Sequence, residues 1–220
     1  DKHEINAGIE VVNNNSKQET RVPINNSSIE PDFAPKDQGR EYALYVDDVF
    51  EVSPKLTLNA GLRYTLYHNL GPANVFLYED QPVNSPIVDT LFYEDQEVIE
   101  TYTGLSPRLS AKYNLGKNNS VKAAYNRMYQ FIHLISNTAA PTPVDIWQVS
   151  NTYIEPIVSN NYSVGFFQNF DNYNWELSFE VFYKELDNLV EFRDFADLLV
   201  NRNIESELLR AEGRNQGFEV

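Results

Sequence analysis

The chain has 220 residues and carries 32 acidic against 17 basic side chains, which gives a net charge of −15. That excess of negative charge argues against a protein that binds nucleic acid by neutralising phosphates, so we expect no nucleic-acid partner. The chain contains no cysteine, which excludes disulfides, thiolate metal sites and cysteine nucleophiles. It also lacks the run of about 18 apolar residues that a membrane-spanning helix needs, whereas the strands of a membrane β-barrel alternate and average out as polar.

Apolar and polar residues alternate along several stretches, and this period of two predicts β-strands. In chain order the stretches are 5–11, 42–52, 56–67, 105–115, 121–131, 162–170 and 175–183, with a further strand start at 218–220. The clearest stretches cover about 10 to 12 residues, which is close to what a tilted strand needs to cross a bilayer. One charged residue, Arg127, interrupts the apolar side of the stretch 121–131.

Aromatic residues make up 13% of the chain and lie mostly toward the ends of the predicted strands. Such a distribution is typical of the aromatic girdles that mark the two membrane interfaces of a barrel. The residues concerned are Tyr42, Phe50, Tyr64, Tyr67, Tyr113, Tyr129, Phe131, Tyr162, Phe170, Trp175 and Tyr183.

The connections between the predicted strands alternate in length. Short turns are expected at 53–55, 116–119 and 171–174, and long segments near 13–40, 68–103, 132–159 and 187–214. Long loops are uncommon in compact soluble domains, and a strict long–short order places all of them at one end of an antiparallel sheet. The sequence therefore predicts an all-β fold, a segment of an antiparallel transmembrane β-barrel with seven to eight strands. Because both ends of the chain fall inside strand patterns, we expect a piece of a longer protein.

Several stretches resemble the barrel of TonB-dependent outer-membrane receptors. They are YALYVDD at 42–48, SPKLTLNAGLRY at 53–64, LSPRLSAKY at 105–113 and YNRMYQFIHL at 125–134. The stretches PVDIW at 143–147, IEP at 154–156 and GFFQNF at 165–170 are similar to one branch of the family, the Bacteroidota-type receptors that carry a carboxypeptidase-regulatory-like domain before the plug.

The resemblance implies a 22-stranded barrel in the bacterial outer membrane, closed by an N-terminal plug domain. Residues 1–220 would then be a partial barrel, with the plug and the C-terminal strands outside the chain. The implied activity is uptake of a scarce solute such as a siderophore, an oligosaccharide or a peptide. The implied partners are the TonB–ExbB–ExbD complex, reached through the N-terminal region, the outer-membrane lipids and a surface lipoprotein or other subunit. Neither an enzymatic reaction nor a cofactor is implied.

Two alternatives share the strand pattern. One is an outer-membrane scaffold barrel that anchors surface proteins and transports nothing. The other is a soluble β-sandwich that binds carbohydrate, which we expect to have shorter strands, shorter loops and inward-facing rings.

Trp147 is the first candidate for solute contact, because it lies in a long loop beside Asp145, with Tyr153 close behind. An aromatic ring next to a carboxylate is a common way to hold a sugar or another amphiphilic ligand. Packing of this loop onto the barrel rim is the alternative.

The polar side of the strands supplies a second set of candidates. We expect these side chains to face the barrel lumen, where they pair with one another and with the plug or contact the solute. They are Arg63, Arg108, Lys112, Lys122, Glu176, Glu180 and Lys184.

The second long loop is acidic, and no lysine or arginine lies between Arg63 and Arg108. Its carboxylates can attract a cationic solute or simply be solvated. Glu94, Asp95 and Glu97 form a weak candidate for a Ca²⁺ loop, since they lack the spacing of a dedicated one. The three histidines show no metal-ligand spacing, and we expect His133 to be a surface or rim residue. No catalytic motif is present.

Overall fold

The computed structural model describes residues 2–17, 20–21, 32–33, 36–135, 146–170, 175–196, 201 and 203–220. Eight long strands form one antiparallel sheet in which each strand pairs with its neighbour in the sequence. They are β1 (His3–Lys17), β4 (Lys36–Ser53), β5 (Leu56–Leu70), β8 (Val98–Asn114), β9 (Asn119–Gln130), β12 (Ile157–Phe170), β13 (Trp175–Phe192) and β14 (Leu208–Glu219).

Three short hairpins lie within the long connections between the described strands. Their strands are β2 (Thr20–Arg21) with β3 (Asp32–Phe33), β6 (Ala73–Tyr78) with β7 (Ile87–Tyr93), and β10 (Ile132–Ile135) with β11 (Ile146–Val149). A 3₁₀ turn at Ile204–Glu207 precedes β14. Nowhere in these ranges does the chain form a helix that is both long and apolar enough to cross a membrane.

The registers gather the predicted apolar residues on one face of the sheet. Leu44 of β4 lies opposite Tyr64 of β5, which in turn lies opposite Leu105 of β8. These side chains stay open to the surroundings, and Leu105 is 51% exposed. We call this surface the apolar face and its reverse the polar face. The soluble-sandwich alternative is wrong, because the long strands build a single sheet instead of two packed layers.

The predicted alternation of connections is confirmed for the described turns. Short turns join β4 to β5 and β8 to β9, while the long connections, including those from β5 to β8 and from β9 to β12, leave the other end of the sheet. The turn predicted at 171–174 lies outside the described residues.

Strand lengths depart from the prediction at the long-loop end. The strand β5 continues to Leu70 and β8 already begins at Val98, so both project beyond the apolar stretch. The strand expected to start at Phe218 begins ten residues earlier, at Leu208. Its alternation is hidden because Arg214 and Gln216 occupy apolar-face positions opposite Glu185 and Tyr183.

Two members of the predicted girdle leave it. Tyr67 is fully buried, and Phe131 lies just past the end of β9 and stacks on the Tyr67 ring with centroids 4.7 Å apart. Both rings serve the packing of a long loop onto the sheet.

Candidate functional site

The long connections pack together at their end of the sheet, and tyrosine hydroxyls tie the segment 150–156 to the strands. The Tyr67 hydroxyl donates to the Ser150 carbonyl at 2.7 Å, and the Tyr102 hydroxyl donates to the Asn151 carbonyl at 2.8 Å. Tyr67 and Tyr102 face each other across β5 and β8. This segment is therefore fixed to the sheet at two adjacent points.

His133 lies within the same junction and is buried, so the expectation of a surface residue was wrong. Its Nε2 lies 2.9 Å from the Ser150 hydroxyl. Burial lowers the pKa of His133 to about 4. The imidazole is therefore neutral at physiological pH and serves the packing of the loop.

A second junction joins three long connections. The Tyr153 hydroxyl donates to the Phe76 carbonyl at 2.6 Å, and the Tyr78 hydroxyl donates to Glu205 Oε1 at 2.9 Å. The Tyr78 and Tyr153 rings meet edge to face, 5.5 Å apart. Burial raises the pKa of Glu205, which the Tyr78 hydroxyl and a backbone hydrogen bond partly offset.

Charged side chains also join the long connections to one another. Arg193 donates from Nε and Nη2 to both carboxylate oxygens of the buried Glu207, at 2.7 and 2.9 Å, and from Nη1 to Asn84 at 2.9 Å. Arg210 pairs with Glu155 at 2.6 Å. Beneath these contacts, Ile135, Ile154, Phe192, Ile204 and Leu208 form a small hydrophobic core. The connections therefore behave as one packed unit with a core of its own.

The predicted solute-contact residues have different surroundings. Trp147 lies in β11 opposite Leu134 and is 44% exposed. Tyr153 is engaged with Phe76 and Tyr78. Asp145 lies outside the described residues. Of this group, Trp147 is the described side chain that stays open to a ligand.

A cavity of about 70 Å³ lies between these connections. Its lining includes Asp37, Asn69, Gln148, Tyr153 and Glu205. The hydrogen-bonded side chains of the second junction thus form part of its wall.

Two carboxylates of the acidic turn at 94–97 accept hydrogen bonds, one from within the turn and one from the strand β4. Glu97 accepts the Glu94 backbone N–H at 2.8 Å, and Asp95 accepts the Gln38 side chain at 3.3 Å. Within the described part of the chain, no group of three or more His, Asp or Glu side chains has a geometry that could hold a metal ion.

The seven predicted lumen residues occupy positions on the polar face, because each alternates with an apolar-face neighbour. Arg63 pairs with Glu10 at 2.6 Å. The others do not pair with one another: in the register, Lys112 lies opposite Lys122, and Glu180 lies opposite Glu219. Like charges directly opposite are unfavourable in a sheet. The Lys122 ammonium instead sits 4.4 Å from the Phe167 ring centroid.

The polar face also carries a depression of about 810 Å³. Glu10, Arg63, Arg108, Asn126 and Met128 contribute to its walls. The polar face is therefore concave and charged where the apolar face is open and aliphatic.

Sequence reasoning missed the residues that join the loops, namely Tyr78, Arg193, Glu205 and Glu207. The hydrogen bond from Tyr78 to Glu205 joins residues 127 positions apart. No local pattern in the sequence signals such a pair.

Comparison with known proteins assigns the family. The family described as "TonB dependent receptor-like, beta-barrel" matches residues 2–220. Comparison with curated protein sequences finds no significant match.

Solved structures share the fold at low sequence identity. The ferric-catecholate import receptor Fiu from E. coli K12 is 16% identical, with a TM-score of 0.56, 98% of this chain covered and 32% of that chain covered. The Serratia marcescens hemophore receptor HasR, solved with its hemophore HasA and heme, is 17% identical, with a TM-score of 0.61 and coverage of 99% and 36%. The alcaligin outer-membrane receptor FauA from Bordetella pertussis is 16% identical, with a TM-score of 0.53 and coverage of 98% and 31%.

The chain spans about a third of the length of each of these receptors. The Bacteroidota-type branch stays a prediction. The match over residues 2–220 and the open apolar face lead to one conclusion. The chain belongs to the β-barrel family of TonB-dependent receptors, which lie in the outer membrane and are not enzymes.

Proposed function

We propose that the complete protein takes up a scarce solute across the outer membrane with energy from the TonB–ExbB–ExbD complex, and that this chain forms part of the barrel wall. The family match carries the proposal. In this reading the TonB complex acts through an N-terminal region outside the chain.

The polar face lines the lumen in this proposal. Lys112 opposite Lys122, and Glu180 opposite Glu219, leave charges that no described neighbour neutralises in an ion pair. A plug domain inside the barrel supplies the opposite charges. The unfavourable like-charge pairs of the isolated sheet then become contacts with that domain.

The packed long connections form the outer mouth, and Trp147 contacts the solute with Asp145 beside it. The acidic second loop favours a neutral or cationic solute over an anionic one, because a concentration of one charge sign repels ligands of that sign. The solved receptors that resemble the chain bind ferric catecholates, alcaligin or a heme-carrying hemophore. A metal chelate without net negative charge, or a similarly scarce solute, is therefore the class to test first.

The test is solute uptake by cells that express the full-length protein, with and without a functional TonB complex. We expect uptake of one member of a panel of metal chelates, oligosaccharides and peptides, and loss of that uptake without TonB. Uptake that persists without TonB contradicts the proposal. A scaffold barrel would transport no member of the panel, and cells without the protein would lose surface proteins. That combination also contradicts the proposal.

Trp147 has a matched control. Trp147→Ala is expected to raise the solute concentration for half-maximal uptake, whereas Leu134→Ala, which changes the equally exposed residue directly opposite, leaves it unchanged. Equal effects of both changes indicate that the hairpin has a packing role only.

A further inference from the structure

Three hydroxyl groups on the polar face hold one segment of the connection between β9 and β12. They belong to Ser16 of β1, Tyr67 of β5 and Tyr102 of β8. Each lies an even number of residues from a polar-face charge in the same strand, and no bulge intervenes. The three charges are Glu10, Arg63 and Arg108. The segment that the hydroxyls hold therefore lies against the polar face.

The three acceptors are backbone carbonyls of the segment 147–151. The Ser16 hydroxyl donates to the Trp147 carbonyl at 2.7 Å, and the two tyrosines donate to Ser150 and Asn151. The strand order β1–β4–β5–β8 places the outer donors three strand spacings apart, which is about 14 Å. An extended chain covers about 13 Å between residues 147 and 151. The segment therefore crosses the polar face from β1 to β8.

This segment and the strand β10 beside it are tightly packed. Val149 and Ser150 are fully buried, and His133 is 1% exposed. The Ser150 backbone N–H donates to the Phe131 carbonyl at 2.8 Å, which joins the two stretches at their base. We call residues 131–135 and 147–151 together the inner belt.

A row of small residues on the polar face accommodates the rings at the base of the inner belt. Ala43, Thr65 and Gly104 are direct neighbours across β4, β5 and β8, and all three are buried. The Tyr129 ring lies over Gly104, where a Cβ atom would come within 2.7 Å of it. Tyr129 in turn stacks beside Phe131, with centroids 6.4 Å apart. The small row therefore lets these rings lie close to the sheet.

The inner belt turns an apolar side away from the sheet. Trp147 and Leu134 face each other across the hairpin, and each is 44% exposed. Their sequence neighbours Gln148 and His133 are buried. Because side chains alternate along a strand, the buried pair points toward the sheet and the exposed pair away from it.

We propose that the inner belt is a fixed constriction of the uptake route that limits the size of the solute. This inference rests on the proposed function, in which the polar face lines the lumen. A layer packed on a sheet lies about 10 Å from it, so the belt narrows the lumen by about that depth on this side. Its free side is apolar, so a solute that passes it meets a non-polar edge before it reaches the charged wall below.

The experiment measures access, from outside intact cells, to a cysteine placed below the inner belt of the full-length receptor. Met128 suits this purpose because it is 41% exposed and lines the depression on the polar face. It lies about 10 Å from Phe131 along the strand, on the short-turn side. Met128→Cys is treated with a small maleimide or with a maleimide on a long polyethylene glycol chain. We expect the small reagent to react and the long one to be excluded.

A loosened belt should admit the long reagent. Each lost hydroxyl bond raises the population of the loosened belt about five-fold, so loss of all three should speed labelling by the long reagent at least about a hundred-fold. The variant combines Ser16→Ala, Tyr67→Phe and Tyr102→Phe. The matched control removes three hydroxyls from the apolar face and should leave labelling unchanged. It combines Tyr42→Phe, Tyr64→Phe and Tyr113→Phe.

A second cysteine position checks the reagents. Phe195 is fully exposed in the connection from β13 to β14, so Phe195→Cys should react with both maleimides in every background. Folding of each variant is checked by its mobility on gels before and after heating. If the triple variant fails to fold, Tyr67→Phe alone replaces it, with an expected increase of about five-fold.

Three results overturn the proposal. The first is labelling of Met128→Cys by the long reagent at the same rate with the intact and the loosened belt, including no labelling in either. The second is an equal increase in the apolar-face control, and the third is no reaction with the small reagent. Labelling needs neither TonB nor a transported solute, so a failure here is distinguishable from a failure of the uptake test.

Discussion

Two ionisable side chains in neighbouring connections, the half-buried Glu205 and the buried His133, respond to pH in opposite directions. The pKa of Glu205 is raised by burial, so its contribution to loop stability is complete below its ordinary value of 4.5 and is lost as the pH rises through the raised value. The pKa of His133 is lowered from 6.5 to about 4. Its contribution is present above pH 6.5 and is lost as the pH falls toward 4.

These directions give a residue-scale prediction. Between pH 7 and pH 5, protection of the amides around Ser150, measured relative to the intrinsic exchange rate at each pH, should fall as His133 begins to favour its charged form in the opened loop. Protection around 204–208, measured in the same way, should hold or increase. Glu205→Gln mimics the protonated acid and should remove the pH dependence at 204–208 while leaving that at Ser150 intact. Parallel changes in both segments, before and after the substitution, would contradict these assignments.

At the scale of elements, paired tyrosines hold the segment 150–156 on the sheet. Tyr67→Phe and Tyr102→Phe each remove one hydroxyl hydrogen bond and keep the ring, so each should cost about 1 kcal/mol. The amides of Ser150 and Asn151 should then exchange about five-fold faster. Because both bonds fix the same segment, the double variant should lose more than the sum of the two single changes. If the losses of stability in the two single variants add up to the loss in the double variant, the two contacts are independent. Tyr42→Phe on the apolar face serves as the control, because it removes a hydroxyl that does not contact this segment.

The two faces of the sheet predict different tolerance to charge. Val164 on the apolar face and Ser163 on the polar face are adjacent in β12. Val164→Lys should destabilise the membrane-inserted barrel by about 2–4 kcal/mol, whereas Ser163→Lys should be accepted. Denaturant unfolding in lipid vesicles measures the difference. Equal effects at both positions would mean that the apolar face does not meet lipid.

Periodicity identified the strands because the membrane requires one side of each strand to be apolar. It failed where that requirement ends: β5 and β8 continue past the apolar stretch, and β14 carries Arg214 and Gln216 on the apolar face. Periodicity could not predict the loop junctions, because Tyr78 and Glu205 are far apart in the sequence and come into contact only in the folded chain. The apolar face was therefore predictable, and the packed mouth was not.

At the scale of the whole molecule, the net charge of −15 should influence how a solute arrives. If the acidic second loop steers a cationic solute, raising the ionic strength should slow the association rate and leave the dissociation rate nearly unchanged. Replacing Glu79, Asp80 and Asp89 by amides should reduce that salt dependence. Stopped-flow binding to the full-length receptor measures both rates. An unchanged salt dependence would mean that these carboxylates are solvated and do not steer the solute.

The order of strands in the sheet follows the order of the chain without a crossover. Each long strand can therefore dock on the one made just before it, and only short loops need to close at the turns from β4 to β5 and from β8 to β9. Assembly of this region can proceed as a zipper that advances one hairpin at a time. A defect in a central strand such as β8 would then stall every strand that follows it, even where those later sequences are intact.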